Sequence, residues 1–290
     1  MVTPNATPSR RGRLAPTPTG LLHVGHARTF AAAASRAAGA GLVLRIDDLD
    51  GPRCRQAFVE AAIEDLLWLG LRWTEGPDLG GNVGPYVQSQ RADWYLEVWR
   101  RLEATGLIYP SPHSRRDVEA AAVAPHDTDH PDGSEPLFPV SLRPAAWSRA
   151  TAPGGVPWRF RVPDGRQILF QDAAAGEVVR TAGVDFGDFV VWRRDDLAAY
   201  ELACVADDHA MQIGDVVRGA DLLTSTARQL LLYEALGWDT PTFCHQPLVC
   251  DAAGKRLAKR SAGLAIRDLR EAGFSPSDVL TWPMTDLAGA

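Results

Sequence analysis

The amino-acid sequence predicts an α/β fold, with a parallel sheet flanked by helices and split by an α+β insertion. Three observations point to it. Residues 11–50 read as strand, helix and parallel strand; the acidic run Asp47-Asp48-Leu49-Asp50 follows the second strand; and periodicity breaks down between about 107 and 185 before strand character resumes. The chain has 290 residues, 46% hydrophobic and 23% charged, which supplies a sizeable core and excludes a disordered or collagen-like chain. No run approaches the ~18 apolar residues of a membrane span, so no membrane partner is expected.

Taken in order, residues 1–10 lack the apolar centre of a signal peptide and read as a loose polar tail. Arg11 to Ala15 begin a short strand, and Pro16-Thr17-Pro18-Thr19-Gly20 must turn. An alanine-rich helix follows to about Ala38, stopped by Gly39 and Gly41, before the strand Leu42 to Ile46. Its acids lie just past the strand's carboxyl end, where open α/β sheets bind ligands. Residues 55–70 and 91–106 read as helices, with Val59, Ile63 and Leu66 on one apolar face and Tyr95, Val98 or Trp99, and Leu102 on another. Ala124 to Pro144, rich in Pro, Asp and His, reads as loop. Trp158 to Val162, a Pro-Asp-Gly turn and Gln167 to Phe170 read as a β-hairpin. Phe189 to Trp192 resumes strand character, and Ser225-Thr226 is expected to cap a helix reaching about Leu236.

The net charge of −6 advertises no general affinity for nucleic acid, but a local basic face needs no positive total. Of the 30 Lys and Arg residues only Lys255 and Lys259 are lysine, both within Gly254-Lys255-Arg256-Leu257-Ala258-Lys259-Arg260. A compact ammonium on a flexible stem differs from a guanidinium fork, and the functional reading is a phosphate-contacting lysine. The four cysteines, Cys54, Cys204, Cys244 and Cys250, form no C-x-x-C pair, and free thiols in a cytoplasmic protein are expected.

The stretch Arg13-Leu14-Ala15-Pro16-Thr17-Pro18-Thr19-Gly20-Leu21-Leu22-His23-Val24-Gly25-His26 puts two histidines and a glycine where a helix begins. A helix N-terminus with imidazole donors suits a polyphosphate, and Gly25 permits close approach of a nucleotide. His23-Val24-Gly25-His26 resembles the HIGH signature of class I aminoacyl-tRNA synthetases. The longer stretch, with Arg45-Ile46-Asp47-Asp48-Leu49-Asp50, is similar to their glutamyl and glutaminyl branch. Arg256-Leu257-Ala258-Lys259-Arg260 resembles the KMSKS loop, and the runs Tyr200 to His209, Arg218 to Asp221 and Ser225 to Gln229 also look like this branch. The resemblance spans about residues 11–262. Only 30 residues follow Arg260, which are expected to be too few for an anticodon-binding domain, so the chain resembles the stand-alone glutamyl-Q tRNA(Asp) synthetases.

This resemblance implies a Rossmann-type catalytic domain over 11–106 and 186–240, an acceptor-binding-like insertion over 107–185, and a loop and C-terminal segment over 241–290. It implies tRNA-independent activation of L-glutamate by ATP with Mg²⁺, then transfer to queuosine in the anticodon of tRNA(Asp) by a cytoplasmic monomer. His23, Gly25, His26 and Lys259 would serve ATP, with the two histidines and the lysine catalytic. Arg13, Leu14, Ala15, Pro16, Thr17, Asp47, Tyr200 and Arg218 would form the glutamate site, the arginines on a carboxylate and Asp47 on the ammonium. Asp47 is one methylene shorter than the family's usual glutamate, and Cys204 stands where asparagine is frequent. The family's zinc ligands align with Ser111, His113, Phe138 and Leu142, of which Phe and Leu cannot ligate, so no structural zinc is expected. Two other readings use the same residues: an adenylating paralogue serving a small molecule or carrier protein, and a tRNA-binding remnant without catalysis.

Overall fold

A computed structural model of the chain describes residues 10–122, 137–248 and 265–282. Strand β1 (Gly12–Leu14) leads through α1 (Val24–Arg36) to β2 (Leu42–Leu44), which lies parallel to β1 with Gly12 opposite Leu42. Val24, Ala27, Phe30 and Ala33 form the buried stripe of α1, three residues apart, and the small alanines bring the helix close to the sheet. A Cβ on Gly12 would sit 2.9 Å from that of Ala37, so the strand begins where only glycine fits under the helix end. Helices α2 (Gln56–Trp68) and α3 (Ala92–Thr105) follow as the periodicity predicts.

The chain continues through β3 (Ile108–Pro110), α4 (Arg115–Ala122), β4 (Trp158–Phe160), β5 (Gln167–Asp172), β6 (Gly176–Thr181) and β7 (Phe189–Trp192). Next come α5 (Tyr200–Ala210), β8 (Asp215–Gly219), α6 (Leu223–Leu236), β9 (Thr242–Gln246), α7 (Ile266–Glu271) and α8 (Pro276–Leu280). The larger sheet runs β2-β1-β8-β9-β5-β6, parallel from β2 to β5, with β6 antiparallel at the edge. The smaller sheet, β3-β4-β7, is antiparallel. Together with the helices these make a mixed, Rossmann-like α/β fold.

Two local expectations are corrected. The segments 158–162 and 167–170 do not pair as a hairpin, because β4 lies between β3 and β7 while β5 pairs with β6 and β9. Pro163-Asp164-Gly165 does turn, with Gly165 at φ 79°, but partner choice beyond it is set by non-local packing. Trp158, Phe160, Phe189 and Trp192 join Tyr95 and Trp99 in one core, where Trp99 and Trp158 meet edge to face with centroids 4.9 Å apart. The strands between 107 and 185 are therefore divided between both sheets. Secondly, α6 starts at Leu223, and Ser225-Thr226 do not cap it; the Thr226 hydroxyl is buried and donates to the Leu222 carbonyl at 3.1 Å.

Candidate active site

Parallel strands present their loops at one edge, and here the carboxyl ends of β1, β2, β8 and β9 meet the N-terminus of α1 around a cavity of about 640 Å³. Arg13, Ala15, Thr17, His23, Gly25, His26, Asp47, Tyr200 and Arg218 all line it. Leu14 and Pro16 do not: Leu14 is fully buried in the core beneath, and the Pro16 carbonyl accepts the Asp47 N–H at 3.0 Å. Arg256, Leu257, Ala258, Lys259 and Arg260 lie outside the described residues.

The start of α1 is capped by its own histidines. His23 Nδ1 accepts the Gly25 N–H at 3.1 Å, and His26 Nδ1 accepts the His23 N–H at 3.1 Å. A neutral imidazole that accepts through Nδ1 carries its proton on Nε2, so each ring's donor is the Nε2–H, a group of the kind that bonds anionic oxygens. These donors join the positive end of the helix dipole. The rings lie 3.8 Å apart between centroids.

The Arg13 and Asp47 side of the cavity is held by a buried charge network whose hub the sequence did not single out. Arg45 is fully buried and donates to Asp47 at 2.7 and 3.4 Å and to Asp208 at 2.7 Å, with Asp207 3.7 Å away. Asp207 also accepts from Arg91 at 2.6 Å, Tyr95 at 2.8 Å and Gln88 at 2.9 Å. Arg13 lies 3.4 Å from Asp208 and donates to the Val217 carbonyl at 3.0 Å. Burial raises the Asp47 carboxyl to about 6 against the opposing pull of Arg45. Asp208 is held below the usual carboxylate range, because Arg13 and Arg45 outweigh its burial. Cys204 is buried in the core with its thiol pushed up by burial, and it does not line the cavity.

Arg218 on β8 donates through Nε to His245 Nε2 at 3.2 Å and through Nη2 to Thr226 Oγ1 at 2.6 Å. Its Nη1 has no partner among the described residues. His245 on β9 had no signal of its own in the sequence beyond being a histidine in a short strand. Asp221 and Leu248 complete the rim, and Ala265 bridges antiparallel to His23, so the chain leaves and re-enters the described residues beside the cavity.

A second cavity of about 510 Å³ adjoins the first, with Tyr200 lining both. Arg159, Arg193, Arg194 and Arg228 face it, together with His113, Phe138 and Phe189. Of the positions that align with zinc ligands, His113 and Phe138 line this cavity. Phe138 packs against Tyr109 with ring centroids 6.4 Å apart, and the Arg159 guanidinium lies 4.2 Å from the Phe138 centroid. Among the described residues no group of three His, Cys, Asp or Glu side chains could hold a metal ion.

The family model described as the catalytic domain of class I tRNA synthetases (E and Q) matches residues 10–283. A relative named glutamyl-Q tRNA(Asp) synthetase, from Symbiobacterium thermophilum, is 45% identical over 93% of this chain and 84% of its own length. Another of that name, from Nitratidesulfovibrio vulgaris, is 44% identical over 96% of this chain and 86% of its own. The crystal structure of a glutamate tRNA ligase from Elizabethkingia meningosepticum superposes with a TM-score of 0.73 at 30% identity, covering 92% of this chain and 53% of that one. The chain thus spans about half the length of that solved ligase.

Proposed function

The chain belongs to the class I tRNA synthetases of the E and Q type, matched over residues 10–283, and from that premise we propose that it activates L-glutamate with ATP without tRNA and transfers it to queuosine in the anticodon of tRNA(Asp). One observation carries the reading: two arginines and a carboxylate converge in a cavity whose other wall is a histidine-capped helix N-terminus. Arg13 and Arg218 suit the carboxylates of glutamate, and Asp47 suits its ammonium. Each is positioned by a contact within the chain, Arg13 by Val217, Asp47 by Arg45 and Arg218 by His245.

In the first step the glutamate α-carboxylate oxygen bonds to the α-phosphorus of ATP, and the bond from that phosphorus to the bridging oxygen breaks to release pyrophosphate. No protein nucleophile is required, so catalysis is positioning plus stabilisation of charge on phosphoryl oxygens. The Nε2 donors of His23 and His26 serve those oxygens, with Lys259 opposite. Both ends of the lysine stretch support this: Leu248 lines the cavity, and Lys259 is six residues from Ala265, which is bridged to His23, a span of at most ~20 Å. Magnesium would enter with ATP, held largely by the phosphates and water and, where Asp221 lines the cavity, by its carboxylate, and would supply neutralisation of phosphate charge. In the second step a hydroxyl of queuosine attacks the adenylate carbonyl and AMP leaves.

The arginine-lined cavity beyond Tyr200 supports an RNA acceptor reaching the adenylate from that side, since phosphate contacts need local rather than net positive charge. The first step is tested by ATP–pyrophosphate exchange in RNA-free protein. Exchange that depends on glutamate, and is not elicited by glutamine or aspartate, is expected. Absence of exchange until tRNA is added would refute tRNA-independent activation.

A further inference from the structure

Arg218 differs from the other cations at the site in what neutralises it. Arg45 is compensated by three carboxylates, and Arg13 lies beside Asp208. Among the described residues no carboxylate pairs with Arg218; its side-chain partners are the His245 imidazole, at 3.2 Å, and the Thr226 hydroxyl, at 2.6 Å. Arg218 and His245 stand opposite one another in the register of β8 and β9, and both are buried.

The protonation state of His245 follows from its neighbours. Nδ1 lies 2.6 Å from Asp172 Oδ2, and Nε2 faces the Nε–H of Arg218. Arginine has no acceptor and a carboxylate can only accept, so the proton sits on Nδ1 and the lone pair on Nε2. Asp172, on β5, is itself fixed by the backbone N–H groups of His245, Ala174 and Ala175 at 2.8–3.1 Å. The charged groups facing the ring are thus Asp172 from β5 and Arg218 from β8; α6 contributes Thr226, whose Oγ1 lies 2.9 Å from Nε2, the Leu222 carbonyl just before α6 also approaches the ring, and the rings of Phe170 and Phe243 pack beside it.

We propose that Asp172 and His245 form a positioning relay that locks the guanidinium of Arg218 from behind with a neutral acceptor, leaving its Nη1 and its full positive charge for a carboxylate of the amino acid. A carboxylate in direct contact would lock it equally well but would cancel the charge. Interposing the imidazole keeps the anion one ring further away. This rests on the reading of Arg218 as a glutamate-binding residue. Protonation at Nε2 would set two donors against each other, so the relay works only with the neutral ring. Burial, aided by the Arg218 charge and opposed by Asp172, pushes the His245 pKa down and favours that form.

The test compares His245→Leu, His245→Gln and Arg218→Ala in glutamate-dependent ATP–pyrophosphate exchange. Leucine offers no acceptor, and KM for glutamate should rise roughly 10- to 100-fold, with kcat and KM for ATP within about 2-fold. The Gln side-chain oxygen can accept from Arg218, and KM for glutamate should return to within about 3-fold of the parent. If Arg218→Ala leaves KM for glutamate unchanged, the glutamate-site reading itself fails. If Arg218→Ala raises it and His245→Leu does not, the relay alone is overturned. A second measurement reads the tautomer directly. In ¹⁵N-histidine-labelled parent protein, with His245 assigned by its loss in His245→Gln, the ring should be the neutral Nδ1–H form at pH 7. A proton on Nε2 would overturn the relay.

Discussion

Replacing Arg45 with leucine probes the buried charge network on which the Asp47 side of the cavity is built. Arg45 is fully buried and makes three hydrogen bonds to carboxylates, two to Asp47 and one to Asp208. After its removal Asp207 keeps Arg91, Tyr95 and Gln88, and Asp208 keeps Arg13 at 3.4 Å, but Asp47 loses its side-chain donors. Breaking a buried pair by deleting one partner costs about 3–5 kcal/mol, a large share of the ~5–15 kcal/mol that holds a domain folded. The expected fall in Tm is roughly 6–20 °C. The loss should also depend on pH. In the parent the Asp47 carboxyl is already raised to about 6 by burial, and without Arg45 it rises further. The penalty of an uncompensated anion is present above that pKa and disappears as protonation makes the group neutral, so the variant should be penalised more at pH 8 than at pH 5. Urea unfolding followed by tryptophan fluorescence measures both quantities. A loss under about 1 kcal/mol, or one equal at pH 5 and pH 8, would refute the argument that Arg45 organises the site electrostatically.

Three other outcomes are expected. Lys259→Ala should slow glutamate-dependent pyrophosphate exchange by roughly 10²–10³ with little change in glutamate KM, and exchange at the parent rate would remove Lys259 from the reaction. Asp65 is fully buried, its carboxylate oxygens have no partner among the described residues, and burial raises it to about 6. Because the unfolded chain gives up this proton first, the folded state should lose up to about 3 kcal/mol from this group as pH rises from about 4 through 6. The stability difference between Asp65→Asn and the parent should therefore shift towards the variant over that interval; a pH-independent difference would contradict it. Elemental analysis of the purified protein should find zinc well below one per chain, with Tm unchanged by a chelator, and one tightly held zinc would overturn the reading of the Phe138 region.

Much of the site was legible because its chemistry sits on local signals. Pro16 to Gly20 announces the turn, His23-Val24-Gly25-His26 the helix start, and Asp47 follows a strand whose end must face the ligand edge; all three reach one cavity. Arg45 was not legible, because a strand arginine reads as surface until the partners at 207 and 208, far away in sequence, are known to face it. His245 and Thr226 share that difficulty, since their roles arise only when β8, β9 and α6 come together. The hairpin expected at 158–170 failed for a related reason: a turn signal fixes a reversal of direction, whereas the choice of partner for β4 and β5 belongs to the aromatic core and the parallel sheet.

The identity of the acceptor is the sharpest issue, and one labelling experiment addresses it. Protein, ATP and labelled glutamate are incubated with tRNA(Asp) bearing queuosine, with tRNA(Asp) lacking it, and with tRNA(Glu), each before and after periodate oxidation of its 3′ end, the label being read on the RNA. Label is expected only on the queuosine form, unaffected by the state of the 3′ end, and its yield should fall steeply with salt if the arginine-lined cavity holds RNA phosphates as proposed. Labelling of tRNA(Glu) that periodate abolishes would mean that glutamate goes to the 3′ end as in a conventional synthetase, and would contradict the proposed reaction.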